Sequence, residues 1–173
     1  MKDKKISEKI DLIKKIFKLD PNKSLFIVSC TKEKIWDIMK ETDQYYAAEK
    51  AYYGKEFKKF LEWYELFNLK VKGYYWIILS GKYGFIEPKH PITWYDINMA
   101  NPNHYPISLK SLKNQCKQIR KWQLNGKYVN IKLNKFQNFI CVNCDPFYIE
   151  RIKSSLGDKN YIIVDNIEKI IGD

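Results

Sequence analysis

Arginine is nearly missing from this chain. Of 31 basic residues in 173, only Arg120 and Arg151 are arginines. Lysine carries point charge, whereas the guanidinium fork reads base edges in pairs of hydrogen bonds. Any contact with nucleic acid is therefore expected to rest on backbone charge more than on sequence. Long apolar runs are missing too. No stretch of 18 uncharged apolar residues exists, which excludes a membrane-spanning helix. Met1-Lys2-Asp3-Lys4-Lys5 leads into an amphipathic stretch without the apolar core and small-residue cleavage site of a signal peptide. The expectation is a cytoplasmic protein whose four cysteines are reduced thiols. A phosphate-binding GxxxxGK[ST] loop, an internal repeat and a low-complexity linker are all absent.

What is present is a globular composition, 45% apolar, with a formal charge of +11 from 31 basic and 20 acidic residues. That apolar content excludes a disordered chain, and the length suits one domain. The charge excess favours polyanionic partners in a salt-sensitive encounter. It also serves solubility in a chain rich in Tyr and Ile. The partner expected is nucleic acid or a nucleotide, with no membrane and no cofactor, and no oligomeric state follows from the sequence.

The period of apolar residues predicts a helix over 6–18, with Ile10, Ile13 and Phe17 on one face and Leu12 and Ile16 beside it. Asp20-Pro21-Asn22 breaks it. Leu25-Phe26-Ile27-Val28 reads as a buried strand and Tyr74 to Leu79 as a second. Between them, Phe57, Phe60, Leu61 and Tyr64 mark a helix that follows Gly54. Residues 85–106 contain Pro88, Pro91, Pro102 and Pro106 and read as a long irregular excursion. Leu109, Leu112, Cys116 and Ile119 mark a helix fading near Trp122, and Asn125-Gly126 a turn. Residues 128–133 alternate like a short edge strand. Residues 136–142 form a third core strand, Asp145-Pro146 opens a helix that Gly157 closes, and 161–164 form a fourth strand. A short terminal helix is expected after it. The fold class is α/β: one domain with a mostly parallel sheet of four or five strands flanked by helices.

Chemistry is expected beyond the carboxyl ends of the strands, where open α/β sheets bind ligands. The first strand runs into Ser29-Cys30-Thr31-Lys32-Glu33-Lys34, small polar and basic residues suited to a phosphate or a carbonyl oxygen. A nearby lysine favours the Cys30 thiolate, but no histidine lies close in sequence to serve as its base. Equally, Cys30 fits a small buried hydrophobe at a strand end. The second strand runs into Ser80-Gly81-Lys82-Tyr83-Gly84, where two glycines permit close backbone approach and Lys82 adds charge; a plain turn is the alternative. Glu87-Pro88 and Trp94-Tyr95-Asp96 set carboxylates beside aromatic rings, as base stacking and edge recognition require, or as loop anchors. Cys141-x-x-Cys144 lacks a second cysteine pair and begins inside a strand pattern, so no metal site is expected.

Together these segments resemble the YaaA family of peroxide-stress proteins and the short YaaA-like domains of bacteria, archaea and phages. The matching pieces are Ser29-Cys30-Thr31-Lys32 after a strand, Ala51-Tyr52-Tyr53-Gly54 with Phe57, and Leu79-Ser80-Gly81-Lys82-Tyr83-Gly84 continuing to Pro88, with Tyr95-Asp96 downstream. The resemblance covers roughly residues 25 to 98, and the third piece is its most specific part. It implies a YaaA-like α/β fold, and DNA binding is associated with YaaA itself. The Cys-x-Lys loop is also similar to one in a domain of archaeosine synthase. That domain's proline-tyrosine continuation and later Ser/His pattern are absent here, so its reaction is not carried over.

The resulting expectation is a nucleic-acid or nucleotide site lined by Ser29, Cys30, Lys32 and Lys34, then Tyr53 and Gly54, then Ser80, Gly81, Lys82, Tyr83 and Gly84, with Tyr95 beside them. An enzyme that removes or modifies a nucleobase is the alternative, with Cys30, Glu87 and Asp96 as its candidate catalytic groups. A non-catalytic stress-response or interaction protein is the third reading.

Overall fold

A computed structural model describes residues 2–39 and 43–165. In chain order the elements are α1 (Lys2–Phe17), β1 (Ser24–Ser29), α2 (Trp36–Met39), β2 (Tyr46–Ala47), α3 (Ala48–Ala51), α4 (Lys55–Leu66), β3 (Tyr75–Ser80), β4 (Gly84–Ile86) and β5 (Pro91–Ile92). Then follow α5 (Leu109–Lys117), β6 (Arg120–Leu124), β7 (Lys127–Ile131), β8 (Asn138–Val142), α6 (Pro146–Leu156) and β9 (Asn160–Val164).

Five strands make the central sheet in the order β4-β3-β1-β8-β9. β3, β1, β8 and β9 run parallel and β4 returns antiparallel at one edge. The apolar run of β1 explains its central position. Leu25, Phe26, Ile27 and Val28 are all fully buried, because helices cover both faces of the sheet. Alternate side chains point to opposite faces. Phe26 and Val28 pack with α4 residues Phe57, Phe60, Trp63 and Tyr64 and with Ile16 of α1. Leu25 and Ile27 pack with Leu112 and Cys116 of α5 and with Tyr148, Ile152 and Leu156 of α6.

Local chemistry sets the element ends. The Asp20 carboxylate accepts the Asn22 N–H, and the Ser24 hydroxyl donates to the Asp20 carbonyl at 2.6 Å, which turns the chain out of α1 into β1. Ser108 caps α5 by accepting the Ser111 N–H, and Asp145 caps α6 by accepting the Tyr148 N–H at 2.9 Å. Gly157 closes α6 with φ +81°.

Several expectations are corrected. The helix over 109–122 ends at Lys117, because Arg120–Leu124 pairs with Lys127–Ile131 as an antiparallel hairpin. Asn125 and Gly126 both have positive φ, as a two-residue hairpin turn requires. Of the alternating residues over 128–133, those up to Ile131 belong to this separate hairpin and not to the edge of the main sheet, while Leu133 opens a 3-10 turn. The excursion over 85–106 carries regular pieces: β4 at its start, β5 pairing with β2, and a 3-10 turn at Pro102–His104. In α1 the packed side chains are Leu12, Ile13, Ile16 and Phe17, while Ile10 is exposed. The expected terminal helix lies outside the described residues. No helix of the described residues is long and apolar enough to cross a membrane.

This topology positions a site. The chain leaves β1 toward β3 through α4 on one face and leaves β8 toward β9 through α6 on the other. Connections that diverge to opposite faces leave a crevice between the carboxyl ends of the two adjacent strands, here β1 and β8.

Candidate functional site

The crevice opens where β1 ends. The Ser29 hydroxyl donates to the Asn143 carbonyl, tying the ends of β1 and β8 together. Asn143 turns sharply there, with φ +53°, and its side-chain amide donates to the Glu56 carbonyl at 2.9 Å. On the other side, the Cys30 N–H donates to the Leu79 carbonyl at 3.0 Å, which sets the loop after β1 beside the turn after β3.

Residues 51–54 hold the 30–35 loop in shape. The Tyr53 N–H donates to the Glu33 carbonyl at 3.0 Å, the Ile35 N–H to the Ala51 carbonyl at 2.8 Å, and Lys34 bridges to Tyr52. Gly54 is needed for this contact. A Cβ there would lie 2.6 Å from Thr31 Cγ2 and 2.7 Å from Thr31 Cβ.

A cleft of about 300 Å³ results. Ser29 to Lys32 and Lys34 form one wall; Asp96, Asn98 and His104 come from the loop opposite; Tyr148 of α6 closes the end. Cys30 Sγ lies 3.6 Å from the Tyr148 hydroxyl. A second recess of about 560 Å³ adjoins it across Ser29–Lys32, bordered by Glu56, Asn143 and Asp165.

Behind the cleft lies a buried hydroxyl chain. The Tyr95 hydroxyl is 2.5 Å from that of Tyr52 and 2.8 Å from Ser80 Oγ, which accepts the N–H groups of Lys82 and Tyr83. Two ammonium groups approach the Tyr95 ring: Lys34 Nζ at 4.5 Å from its centroid and Lys82 Nζ at 5.5 Å. Burial, reinforced by the negative charge available at Cys30, pushes the phenols of Tyr52, Tyr95 and Tyr148 well up, so all three stay protonated. Burial lowers the pKa of Lys34 despite opposition from Cys30, Asp37, Asp96 and Glu33.

The hydroxyl chain makes a stability prediction. Tyr95→Phe keeps the ring but leaves the Tyr52 and Ser80 hydroxyls without their shared partner in a dry place. The expected loss is about 1–3 kcal/mol, read as a lowered urea midpoint with an unchanged slope. An unmoved midpoint would contradict the reading of a dry, mutually dependent chain.

The structure thus brings Ser29, Cys30, Lys32, Lys34 and Asp96 into one cleft, with Ser80, Lys82 and Tyr95 directly behind or beside it. Other sequence candidates sit elsewhere. Tyr53 is exposed, with Lys58 Nζ over its ring. Gly54 packs on Thr31. Gly81 is covered by the backbone of residues 97–99, and its carbonyl accepts the Ile107 N–H at 2.8 Å. Gly84 packs against α5, where Gln115 accepts the Phe85 N–H and donates to the Tyr83 carbonyl, both at 2.9 Å. Tyr83 meets Tyr95 and His90 ring to ring. Glu87 stands away from the cleft: its carboxylate accepts the Gln123 N–H and faces Arg120, bracing the hairpin. Cys141 and Cys144 are both buried, and burial pushes the Cys141 thiol up to about 12. Among the described residues no cluster of three or more His, Cys, Asp or Glu is set to hold a metal ion.

Sequence reasoning missed Tyr52, Asn98, His104, Asn143 and Tyr148. Two of them had a signal: the Asp145-Pro146 helix start places Tyr148 in the first turn beyond β8, and Tyr52 stands in the Ala51-Tyr52-Tyr53-Gly54 piece, where only Tyr53 and Gly54 were assigned to the site. Fold and cleft together define a single α/β domain with a polar, lysine-bearing crevice at the carboxyl ends of parallel strands. No family model, characterised protein or solved structure matches this chain.

Proposed function

We propose that this chain is a YaaA-like protein that binds a nucleobase-containing ligand, a nucleotide or a nucleic acid strand, in the cleft between β1 and β8. The observation that carries the reading is the meeting of Lys32, Lys34 and Asp96 in one cleft, with Lys82 beside it. Lysines neutralise phosphate, a carboxylate accepts from the amino edge of a base, and the volume of about 300 Å³ admits a single nucleotide-sized group. The net charge of +11 supplies attraction at longer range. A role in stress response goes with the YaaA resemblance, and a cytoplasmic location is part of the same proposal.

Affinity for single-stranded and double-stranded oligonucleotides and for a mononucleotide, measured across a salt series, tests it. Affinity is expected to fall as salt rises, and Lys32→Ala and Lys82→Ala are each expected to reduce the logarithmic salt slope by about 1. A null result at every salt concentration sinks the nucleic-acid reading. Binding that ignores both lysine substitutions would point instead to a non-catalytic interaction protein that binds elsewhere.

A second reading, removal or modification of a nucleobase, is favoured by Cys30 beside Tyr148, with Asp96 in the same cleft. If the thiol is the nucleophile, Cys30→Ala abolishes turnover while leaving binding intact.

A further inference from the structure

Lysine is rarely buried without a charged partner. Lys34 is 4% exposed, yet its ammonium is held by neutral groups: the Lys32 carbonyl at 3.0 Å and the face of the Tyr95 ring. Among the described residues it makes no ion pair. The Asp37 carboxylate is engaged by the backbone N–H of Lys34 at 2.8 Å. That bond and the bridge to Tyr52 fix the backbone from which the side chain reaches the cleft. An ammonium so placed is poorly solvated, and burial lowers its pKa against the pull of Cys30, Asp37, Asp96 and Glu33. More of it is therefore neutral at a given pH than of an exposed lysine. A neutral, desolvated and positioned amine is the form that attacks carbonyl carbon.

We propose that Lys34 is a carbonyl-reactive amine that forms an imine with the aldehyde of a sugar phosphate bound in the cleft. The nitrogen lone pair bonds to the carbonyl carbon and the carbonyl π pair moves to oxygen. Asp96, in the same cleft, carries a proton from nitrogen to that oxygen, giving the carbinolamine. A second proton, drawn from solvent, completes the water that leaves as the C–O bond breaks. The product is a protonated imine, and nothing is oxidised or reduced. Lys32 on the same wall offers charge for the phosphate.

Two sources present this aldehyde: a free open-chain pentose 5-phosphate, and the C1 aldehyde of a strand that has lost a base. The second source rests on the nucleic-acid reading above and the first does not.

The full chain is incubated with ribose 5-phosphate, or with a single-stranded oligonucleotide carrying one abasic site, in the presence of sodium cyanoborohydride. Hydride from the reagent converts the imine to a stable secondary amine, located by intact mass and peptide mapping. The expected result is one adduct per chain, on Lys34, lost in Lys34→Arg. Mapping of the unaltered protein decides the matter even where that variant does not fold. An adduct from ribose 5-phosphate without any oligonucleotide binding would support the amine and remove the nucleic-acid reading. An adduct from the abasic strand alone would support both. Adducts scattered over exposed lysines, with Lys34 unmodified by either probe, would overturn the proposal.

Discussion

Phe26→Ala is expected to lower the unfolding free energy by about 3–5 kcal/mol, the range for deleting a buried aromatic ring. Phe26 is fully buried in β1, the strand paired on both sides by β3 and β8. Its ring sits within an aromatic cluster, with centroids 5.7 Å from Trp63 and Tyr74 and 6.3 Å from Phe60 and Tyr64. Several of these pairs are edge-to-face or tilted, and each such pair adds about 0.5–1.5 kcal/mol beyond the area it buries. The surrounding groups cannot close the gap easily. Tyr64 is pinned through its hydroxyl to the Tyr74 carbonyl, and Tyr74 through its own hydroxyl to the carbonyls of Ile16 and Leu19. Equilibrium unfolding in urea reads the loss as a lower midpoint with an unchanged slope. A loss below about 1 kcal/mol would mean that this cluster repacks freely, against the pinning described.

The second large effect is expected at Gly84, for two additive reasons. Its φ of +74° is costly for any residue with a Cβ, by about 1–2 kcal/mol. Its Cβ position is also occupied, by Gln115 Oε1 and by Ile107 Cδ1 at 2.7 Å. Overpacking of that kind costs about 1–3 kcal/mol more. Gly126→Ala separates the two terms, because Gly126 has φ +78° and nothing within 4 Å of its Cβ position. Gly84→Ala should therefore lose more stability than Gly126→Ala, and the difference measures the contact alone. Equal losses would show that Gln115 moves aside without penalty. The Gly84 substitution also displaces the Gln115 amide that clamps Tyr83 and Phe85, so it should loosen the turn carrying Lys82.

The two glycines illustrate why the candidate site was only partly legible in the sequence. A glycine beside a lysine after a strand is the local pattern of a ligand-wrapping turn, and Gly81 and Gly84 fit it. What fills the space over each is decided by residues distant in the chain, the backbone at 97–99 for Gly81 and Gln115 for Gly84. The same limit applies to tyrosines. Tyr52 and Tyr53 are equivalent as a pair in sequence, but the bridge between Lys34 and the Tyr52 backbone points one ring inward and leaves its neighbour at 43% exposure. Glu87 read as a candidate catalytic group because it sets a carboxylate near aromatic residues on a proline-containing loop. Only the hairpin, whose first strand the sequence pattern concealed within an apparent helix, shows that its carboxylate is engaged at Gln123.

The sequence by itself determined the elements that depend on neighbours within a turn or two. Four core strands follow from short apolar runs, α4 from a three- and four-residue period, and the start of α6 from an N-cap followed by proline. It also marked the loop after β1 as chemically different from the strand before it. Tertiary structure alone decided the strand order, the separation of the hairpin, and the joining of Cys30 to Tyr148 across 118 positions and of Tyr52 to Tyr95 across 43. The reason is physical. Periodicity and capping are read within a few residues of backbone, whereas a cleft exists only once burial of both sheet faces has brought distant loops to the same edge.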